Sequence, residues 1–128
     1  MPHLTVDYSP NLEAEVDIAA LCDVLRVAAI ETGVFPMPGV RVRAFAATHV
    51  AIADGDPRHG YIDISVRLRA GRAMEAKKAA VAHVFAAAQT ALAPVMAQRP
   101  LALSLEMRDI DPELSPKAGS IRDFLETT

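Results

Sequence analysis

The sequence predicts an α/β domain in which two β-α-β units form a four-stranded mixed sheet, with both helices on one face. Four segments alternate apolar and polar residues, as strands with one buried face do, and two longer segments repeat apolar residues at every third or fourth position, as helices do. The order strand, helix, strand occurs twice, in halves of about 1–57 and 58–115. A helix between two strands allows those strands to lie parallel through a right-handed crossover.

The first half contains the first β-α-β unit. Alternation over residues 4–8 predicts a strand. Asp17 is a suitable N-cap for the helix that follows, and Gly33 ends this helix. The apolar stripe of the helix comprises Ile18, Leu21, Leu25 and Ala28. Alternation from Val40 onward predicts the second strand, and we expect its extended character to continue around a bend to Ala53.

The second half repeats the pattern after a turn rich in Asp, Gly and Pro. Alternation over residues 61–68 predicts the third strand, and alternation over 101–108 predicts the fourth. Between them lies a helix that we expect Pro94 to kink or end. The apolar stripe of this helix comprises Val81, Val84, Phe85, Ala88 and Leu92. The tail, residues 116–128, is expected to be irregular except for a short helical turn at 121–125, and to lie across a neighbouring subunit.

Length and composition restrict the class of protein. The 128 residues suit a single domain, 1–128, and a composition of 52% hydrophobic and 23% charged residues can bury a core. A net charge of −3 and only 5% aromatic residues argue against a nucleic-acid partner, including a ferredoxin-like RNA-binding module. We expect no membrane partner, because the most apolar stretch, 79–96, is mostly alanine and carries His83 and Gln89.

The cysteine content and the N-terminal residues predict a cytoplasmic protein. Cys22 is the only cysteine, so it cannot form an intramolecular disulfide, and we expect it to be a small buried hydrophobe of the first helix. The first residues lack the basic and apolar regions of a secretory signal.

One face of the predicted sheet is left without a helix to cover it. This face would carry Phe45, Tyr61 and several alanines. A monomer would expose this apolar surface to water, so we expect the face to pack against other subunits.

Pro2 is the first candidate for chemistry. Removal of Met1 would leave a secondary amine at the chain terminus. An α-amine has a pKa of about 7.7–8.0, and burial or a neighbouring cation would lower this pKa, so that the amine could act as a general base. The alternative is that a proline after the initiator methionine has no role.

Three arginines are candidates for binding an anionic substrate. Arg72 follows Gly71 at the start of the second helix, where helix amides already favour anions. Arg41 and Arg43 share one face of the second strand. Each could instead be an ordinary exposed or ion-paired arginine.

No metal site and no nucleotide site are predicted. The four histidines show no metal-ligand spacing, Asp54 and Asp56 lack the remaining ligands of a calcium loop, and the glycines occur singly rather than in a phosphate-binding loop.

Several segments resemble the 5-carboxymethyl-2-hydroxymuconate isomerases, a family of the tautomerase superfamily, from the N-terminus to about residue 115. The matching segments are Met1-Pro2-His3, Thr32-Gly33-Val34-Phe35-Pro36, Gly39-Val40-Arg41-Val42-Arg43, Ala53-Asp54-Gly55, Ala70-Gly71-Arg72 and Leu101-Ala102-Leu103-Ser104-Leu105-Glu106. The chain departs from the superfamily at Ala73, where many members have serine, at Pro94, and in the tail after Ser115.

This resemblance implies a homotrimer with the sheets facing inward and a reaction that needs no cofactor. The substrate would be an unsaturated dicarboxylic or tricarboxylic 2-hydroxy acid, converted into its 2-oxo isomer during homoprotocatechuate degradation. Pro2 would take the 2-hydroxyl proton and deliver a proton to C5. Arg41 and Arg72 would bind carboxylate and 2-oxo groups, with Arg43 a weaker candidate, and one subunit's arginine could serve its neighbour's proline.

Other functions stay open at this point. The chain could be a different member of the superfamily, such as a phenylpyruvate-type keto-enol tautomerase or a dehalogenase of unsaturated acids. It could also be a non-catalytic trimeric interaction module, in which case Met1 could be retained and Pro2 would have no chemical role.

Overall fold

Four strands and two helices follow one another in the order β-α-β-β-α-β. A computed structural model describes residues 2–125, so Met1, whose removal the Pro2 hypothesis requires, and residues 126–128 of the tail lie outside the described residues. The elements are β1 (His3–Tyr8), α1 (Ile18–Glu31), β2 (Arg41–Ala46), β3 (Gly60–Arg69), α2 (Met74–Met96) and β4 (Leu101–Ile110). Short 3-10 turns occur at Pro10–Leu12, Met37–Gly39, Pro112–Leu114 and Ile121–Phe124.

The four strands form one mixed sheet in the order β2-β1-β3-β4. β1 runs parallel to β2, β3 runs parallel to β4, and the two pairs meet through the antiparallel contact of β1 with β3. This arrangement confirms the predicted fold of two β-α-β units in a mixed sheet.

Both helices pack on the same face of the sheet and share one core with it. The buried apolar residues of the sheet are Leu4, Val6, Tyr8, Ile62, Ile64, Val66 and Leu68, as the alternation predicted. The buried residues of α1 are Leu21, Leu25, Ala28 and Ala29, and those of α2 are Ala80, Val84, Ala88 and Leu92. Fully burying one large apolar side chain stabilises the fold by about 1.5–3 kcal/mol.

The buried stripe of α2 differs from the prediction at its first turns. Val81 and Phe85 are only partly buried, while Ala80 is buried against the sheet. A small side chain at position 80 lets the helix approach the sheet closely, which turns its two larger neighbours toward the groove between α2 and β4.

Pro94 does not end α2, which continues to Met96. The proline lies in the last turn, so its missing amide costs the helix a single hydrogen bond close to its C-terminal end. By length and composition α2 could also cross a membrane, with a mean hydropathy of 1.5. One such helix is weak evidence, because the core helix of a soluble protein has the same composition.

β2 ends at Ala46, so the predicted continuation to Ala53 is wrong. β2 is an edge strand that pairs with β1, and the last residue of β1, Tyr8, lies opposite Ala46. The Ala47 amide still donates to the Tyr8 carbonyl at 3.0 Å. After Tyr8 the chain turns into Pro10–Leu12, so a longer β2 would have no strand to pair with.

The sheet face opposite the helices is more polar than the sequence analysis expected. Phe45 is 57% exposed there, but the strand register also places a polar row across this face: Arg43, Thr5, Ser65 and Glu106. The Tyr61 hydroxyl donates to Asp7 Oδ1 at 2.6 Å, and this bond raises the pKa of Tyr61 to about 12. The open face therefore carries two aromatic rings together with many polar and charged groups. Its apolar character alone is not a sufficient reason to expect that another subunit covers it.

The N-cap of α1 gives a direct test of this fold. Asp17 accepts a hydrogen bond from the Ala20 amide at 3.0 Å. We expect Asp17→Ala to lower the free energy of unfolding by about 1 kcal/mol, because it leaves that amide unpaired. Urea denaturation followed by circular dichroism measures this change. Asp23→Ala, which removes an exposed carboxylate from the middle of the same helix, is the control and should cost less than about 0.5 kcal/mol. Equal losses in the two variants would contradict the capping role.

Candidate active site

The strand directions bring four separate segments to one edge of the sheet. β1 and β2 are parallel, so both begin at this edge, and the register pairs His3 with Arg41. β3 is antiparallel to β1, so it ends there, with Arg67 opposite His3. Pro2, the start of β2 and the segment after β3 therefore meet, although they are far apart in the sequence.

A cavity of about 700 Å³ lies at this edge. Pro2 lines it and is buried. Its apolar walls come from the loop before β2 and from the end of β3, and they include Val34, Phe35, Pro36 and Leu68. The cavity is large enough for a small organic acid, and such sites usually combine apolar walls with a few polar groups.

Five cationic side chains also line the cavity: Arg41, Arg69, Arg72, Lys117 and Arg122. None of the described residues that line it is Asp or Glu. Like charges repel one another, so a cavity with several cations and no carboxylate is built to receive a ligand with several negative charges.

Arg72 is held at the cavity by a backbone contact. Its Nε and Nη2 donate to the Val34 carbonyl at 3.2 and 3.0 Å. The preceding Gly71 has a φ of +114°, which L side chains rarely adopt, and this conformation turns the chain from β3 into α2. The two donors fix the plane of the guanidinium and leave its Nη1 edge for a ligand.

The two candidate arginines of β2 have different surroundings. Arg41 lines the cavity, whereas Arg43 lies outside it on the open sheet face. Arg43 Nη1 is 3.2 Å from His3 Nδ1. Burial, followed by the charges of Arg67, Arg43 and Arg41, lowers the pKa of His3, so the neutral ring can accept from Arg43. The structure brings Pro2, Arg41 and Arg72 together within one subunit but does not bring Arg43 to them.

Arg69, Lys117 and Arg122 line the cavity but were not predicted from the sequence. Arg69 ends the alternating pattern of β3, and its position beside the Gly71 turn was a usable signal. The two tail residues have no periodicity that could have pointed to them.

The tail also lines the cavity of its own chain. Its contact with a neighbouring subunit stays a prediction. β4 is parallel to β3 and ends at the same edge, where the Ala70 amide donates to the Ile110 carbonyl at 3.0 Å, so the tail starts beside the cavity.

The remaining titratable candidates have partners away from this cavity. His59 is 2.7 Å from Asp54, and His83 is 2.9 Å from Glu31. Cys22 is half-buried, and burial raises the pKa of its thiol. Within residues 2–125, no three His, Cys, Asp or Glu side chains could hold a metal ion together. The absence of a metal and a cofactor stays a prediction.

Comparison with known proteins gives a consistent result. A family model described as 5-carboxymethyl-2-hydroxymuconate isomerase matches residues 2–125. The 5-carboxymethyl-2-hydroxymuconate Delta-isomerase of Escherichia coli is 31% identical over 121 residues, which cover 94% of this chain and 96% of that protein.

Solved structures agree in fold. A crystal structure of a 5-carboxymethyl-2-hydroxymuconate delta-isomerase has a TM-score of 0.92 and 29% identity, and the match covers 100% of this chain and 95% of that one. A 5-carboxymethyl-2-hydroxymuconate isomerase from Deinococcus radiodurans has a TM-score of 0.88 and 31% identity, covering 95% and 92%. A fused 4-OT symmetric trimer, at 19% identity and a TM-score of 0.64 over 88% and 91%, shares the fold alone.

The Gly71 turn generates a testable prediction about how this site is held. We expect Gly71→Ala to lower the free energy of unfolding by about 1–3 kcal/mol, because an added side chain disfavours a φ of +114° although no atom blocks it. The measurement is urea denaturation. Gly119→Ala is the matched control, since Gly119 lines the same cavity, has open space around it and has no positive φ. An unchanged stability of Gly71→Ala would show that the turn is not strained by a side chain.

Proposed function

The chain belongs to the 5-carboxymethyl-2-hydroxymuconate isomerase family of the tautomerase superfamily, and from this premise we propose that it converts 5-carboxymethyl-2-hydroxymuconate into its 2-oxo isomer. The observation that carries the proposal is a cavity that combines the buried Pro2 with five cations and, among the described residues that line it, no Asp or Glu. Pro2 is the proposed acid-base group, once Met1 has been removed.

The proposed substrate matches the cavity in charge and in shape. It carries three carboxylates on an unsaturated carbon skeleton, together with a 2-hydroxyl group. Guanidinium groups bind carboxylates through paired hydrogen bonds, and Arg41 and Arg72 are the guanidinium groups proposed to bind the reacting end. The walls of Val34, Phe35 and Leu68 can contact the carbon skeleton.

The proposed reaction moves one proton and leaves all other atoms in place. The Pro2 amine takes the 2-hydroxyl proton, and the oxygen electrons form the 2-oxo group. The C2–C3 double bond shifts to C3–C4, and the former C4–C5 electrons take the proton back from the Pro2 ammonium at C5. Negative charge develops on the 2-oxo oxygen and carboxylate during this transfer, and preorganised cations stabilise it.

The surroundings of Pro2 favour the form of the amine that this mechanism needs. Burial removes water from a charged ammonium, and the cationic cavity disfavours a further positive charge. A neutral secondary amine is therefore favoured in the empty cavity. A bound polyanion offsets the cations and then favours the protonated amine that must deliver the proton to C5.

We propose that the active form is a cytoplasmic homotrimer that acts in homoprotocatechuate degradation. The fused 4-OT neighbour of the same fold is a symmetric trimer. In such an assembly Arg43, on the open sheet face, would lie toward another subunit. This placement keeps Arg43 as a candidate for a neighbour's site, held by its contact with His3.

Replacement of Pro2 tests the proposed acid-base role. We expect Pro2→Ala to lower kcat/KM for 5-carboxymethyl-2-hydroxymuconate by about 10²–10⁴-fold, which is the usual contribution of a general acid-base group. An ultraviolet assay follows the isomerisation, and intact mass establishes that Met1 is absent from both proteins. Pro112→Ala, in a tail turn outside the cavity, is the control.

Equal turnover by wild type and Pro2→Ala would exclude the proline mechanism. Absence of turnover in wild type, with Met1 removed, would favour another tautomerase activity or a dehalogenase. Absence of turnover with Met1 retained would favour the non-catalytic module.

Replacement of Arg72 tests its proposed role in stabilising the charge that develops on the substrate. We expect Arg72→Lys to lower kcat by about 10²–10³-fold. The guanidinium bonds the Val34 carbonyl and still presents a donor to a carboxylate in the same plane, which a lysine ammonium cannot do. Steady-state kinetics separate kcat from KM. Arg26→Lys, on the exposed side of α1, should leave both constants unchanged. A rise in KM with an unchanged kcat would limit Arg72 to ground-state binding.

A further inference from the structure

We propose that Lys117 and Arg122, the two tail cations of the cavity, form a second carboxylate subsite that selects substrates with more than one carboxylate. The inference rests on the proposed function, because it assigns residues to the selection of that function's substrate.

The first argument is the location of the tail cations. The tail leaves β4 after Ile110 and forms a turn at Pro112–Leu114 before it reaches the cavity. Both tail cations then line the cavity that Pro2 lines. They come from a segment separate from the sheet edge that carries Arg41 and the turn that carries Arg72, so they extend the cationic lining beyond the reacting group.

The second argument is that neither tail cation has a partner of its own. Within residues 2–125, neither makes an ion pair or a side-chain hydrogen bond, although Asp123 is adjacent to Arg122 in the sequence. Some exposed cations elsewhere are paired, such as Arg26 with Asp23 at 2.8 Å and Arg58 with Asp56 at 2.6 Å. Unpaired cations that line a cavity free of carboxylates are available to an anionic ligand.

The third argument is the charge of the substrate. The reacting end has one carboxylate beside the 2-hydroxyl group, and Arg41 and Arg72 are the cations proposed to bind it. Two further carboxylates remain, and cations placed beyond the reacting end would attract them. Lys117 and Arg122 supply two positive charges for these two carboxylates.

In the part that the structure describes, the tail is not hydrogen-bonded through its backbone to the sheet, so the position of the two tail cations can adapt to the ligand. The backbone hydrogen bonds of the tail described after Ile110 are local, such as Asp123 to Ser120 at 3.0 Å and Leu114 to Asp111 at 3.1 Å. A polycarboxylate would therefore bridge the tail to the sheet edge. Because Lys117 and Arg122 are exposed, salt should weaken this contribution.

The test compares substrates that differ in the number of carboxylates. The measured quantity is kcat/KM for 5-carboxymethyl-2-hydroxymuconate divided by kcat/KM for the enol of phenylpyruvate, a monocarboxylate. We expect the double variant Lys117→Ala/Arg122→Ala to lower this ratio by about tenfold or more. Most of the change should come from a higher KM for 5-carboxymethyl-2-hydroxymuconate. Arg26→Ala removes the same kind of charge from an exposed helix face and should leave the ratio unchanged. High ionic strength should lower this ratio of kcat/KM values in wild type but leave it unchanged in the double variant, and that result would further support the subsite.

A binding measurement separates failure of the inference from failure of the proposed function. Isothermal titration calorimetry with tricarballylate, a saturated tricarboxylate, needs no turnover. We expect wild type to bind it at least tenfold more tightly than the double variant does, with the same sedimentation coefficient for both proteins. Tight binding without turnover by wild type would overturn the proposed function and keep the subsite. Turnover with an unchanged ratio, or equal tricarballylate affinity in the two proteins, would overturn the subsite.

Discussion

The pairing of β1 on both sides is the constraint on which the rest of the structure depends. β1 follows Pro2 directly and is hydrogen-bonded to β2 along one edge and to β3 along the other. Its Leu4 and Val6 side chains are fully buried beneath the helices. A chain terminus is usually mobile, but this one is fixed from its third residue onward. The parallel and antiparallel directions of its two neighbours then decide which other segments reach Pro2.

The cations of the cavity have opposite effects on folding and on the proposed binding of a polyanion. They lower the stability of the empty protein, but they would attract an anionic ligand. The five cations repel one another, and no Asp or Glu of residues 2–125 lines the cavity with them, so the empty cavity is less favourable than a neutral one would be. The continuous core of sheet and helices supplies the stability that tolerates this repulsion. A bound polyanion would relieve this repulsion. In the proposed mechanism the same charges would also favour the neutral form of the Pro2 amine before binding, so one feature of the site would serve both substrate affinity and proton transfer.

The sequence was informative wherever one face of an element is buried. Alternation located all four strands because Leu4, Ile64 and their neighbours must face the helices. It failed for the end of β2, which depends on where the partner strand ends, at Tyr8. Three local signals pointed to the site. Pro2 follows Met1, Arg41 lies in the second predicted strand, and Arg72 follows the Gly71 turn. Which cations share the cavity depends on strand direction and on the path of the tail, and no local pattern records either of these.

The duplicated architecture gives the sheet two similar edges, and only one of them could carry the proposed proline chemistry. The two units meet antiparallel, so the opposite edge holds the start of β3 beside the start of β4, with Gly60 paired to Leu101. The residue there is inside the chain, so its nitrogen is an amide and cannot act as a base. The nearby Arg99 is used structurally instead: it donates to the Asn11 and Arg58 carbonyls and pairs with Glu15, and its side chain is only 12% exposed. Both terminal nitrogens of Arg99 are used in these contacts, so this arginine holds loops together, although its buried Nε makes no hydrogen bond within the described residues. The two edges share a backbone geometry, and the candidate active site differs from the opposite edge by the buried Pro2 and by the cations that line the cavity beside it.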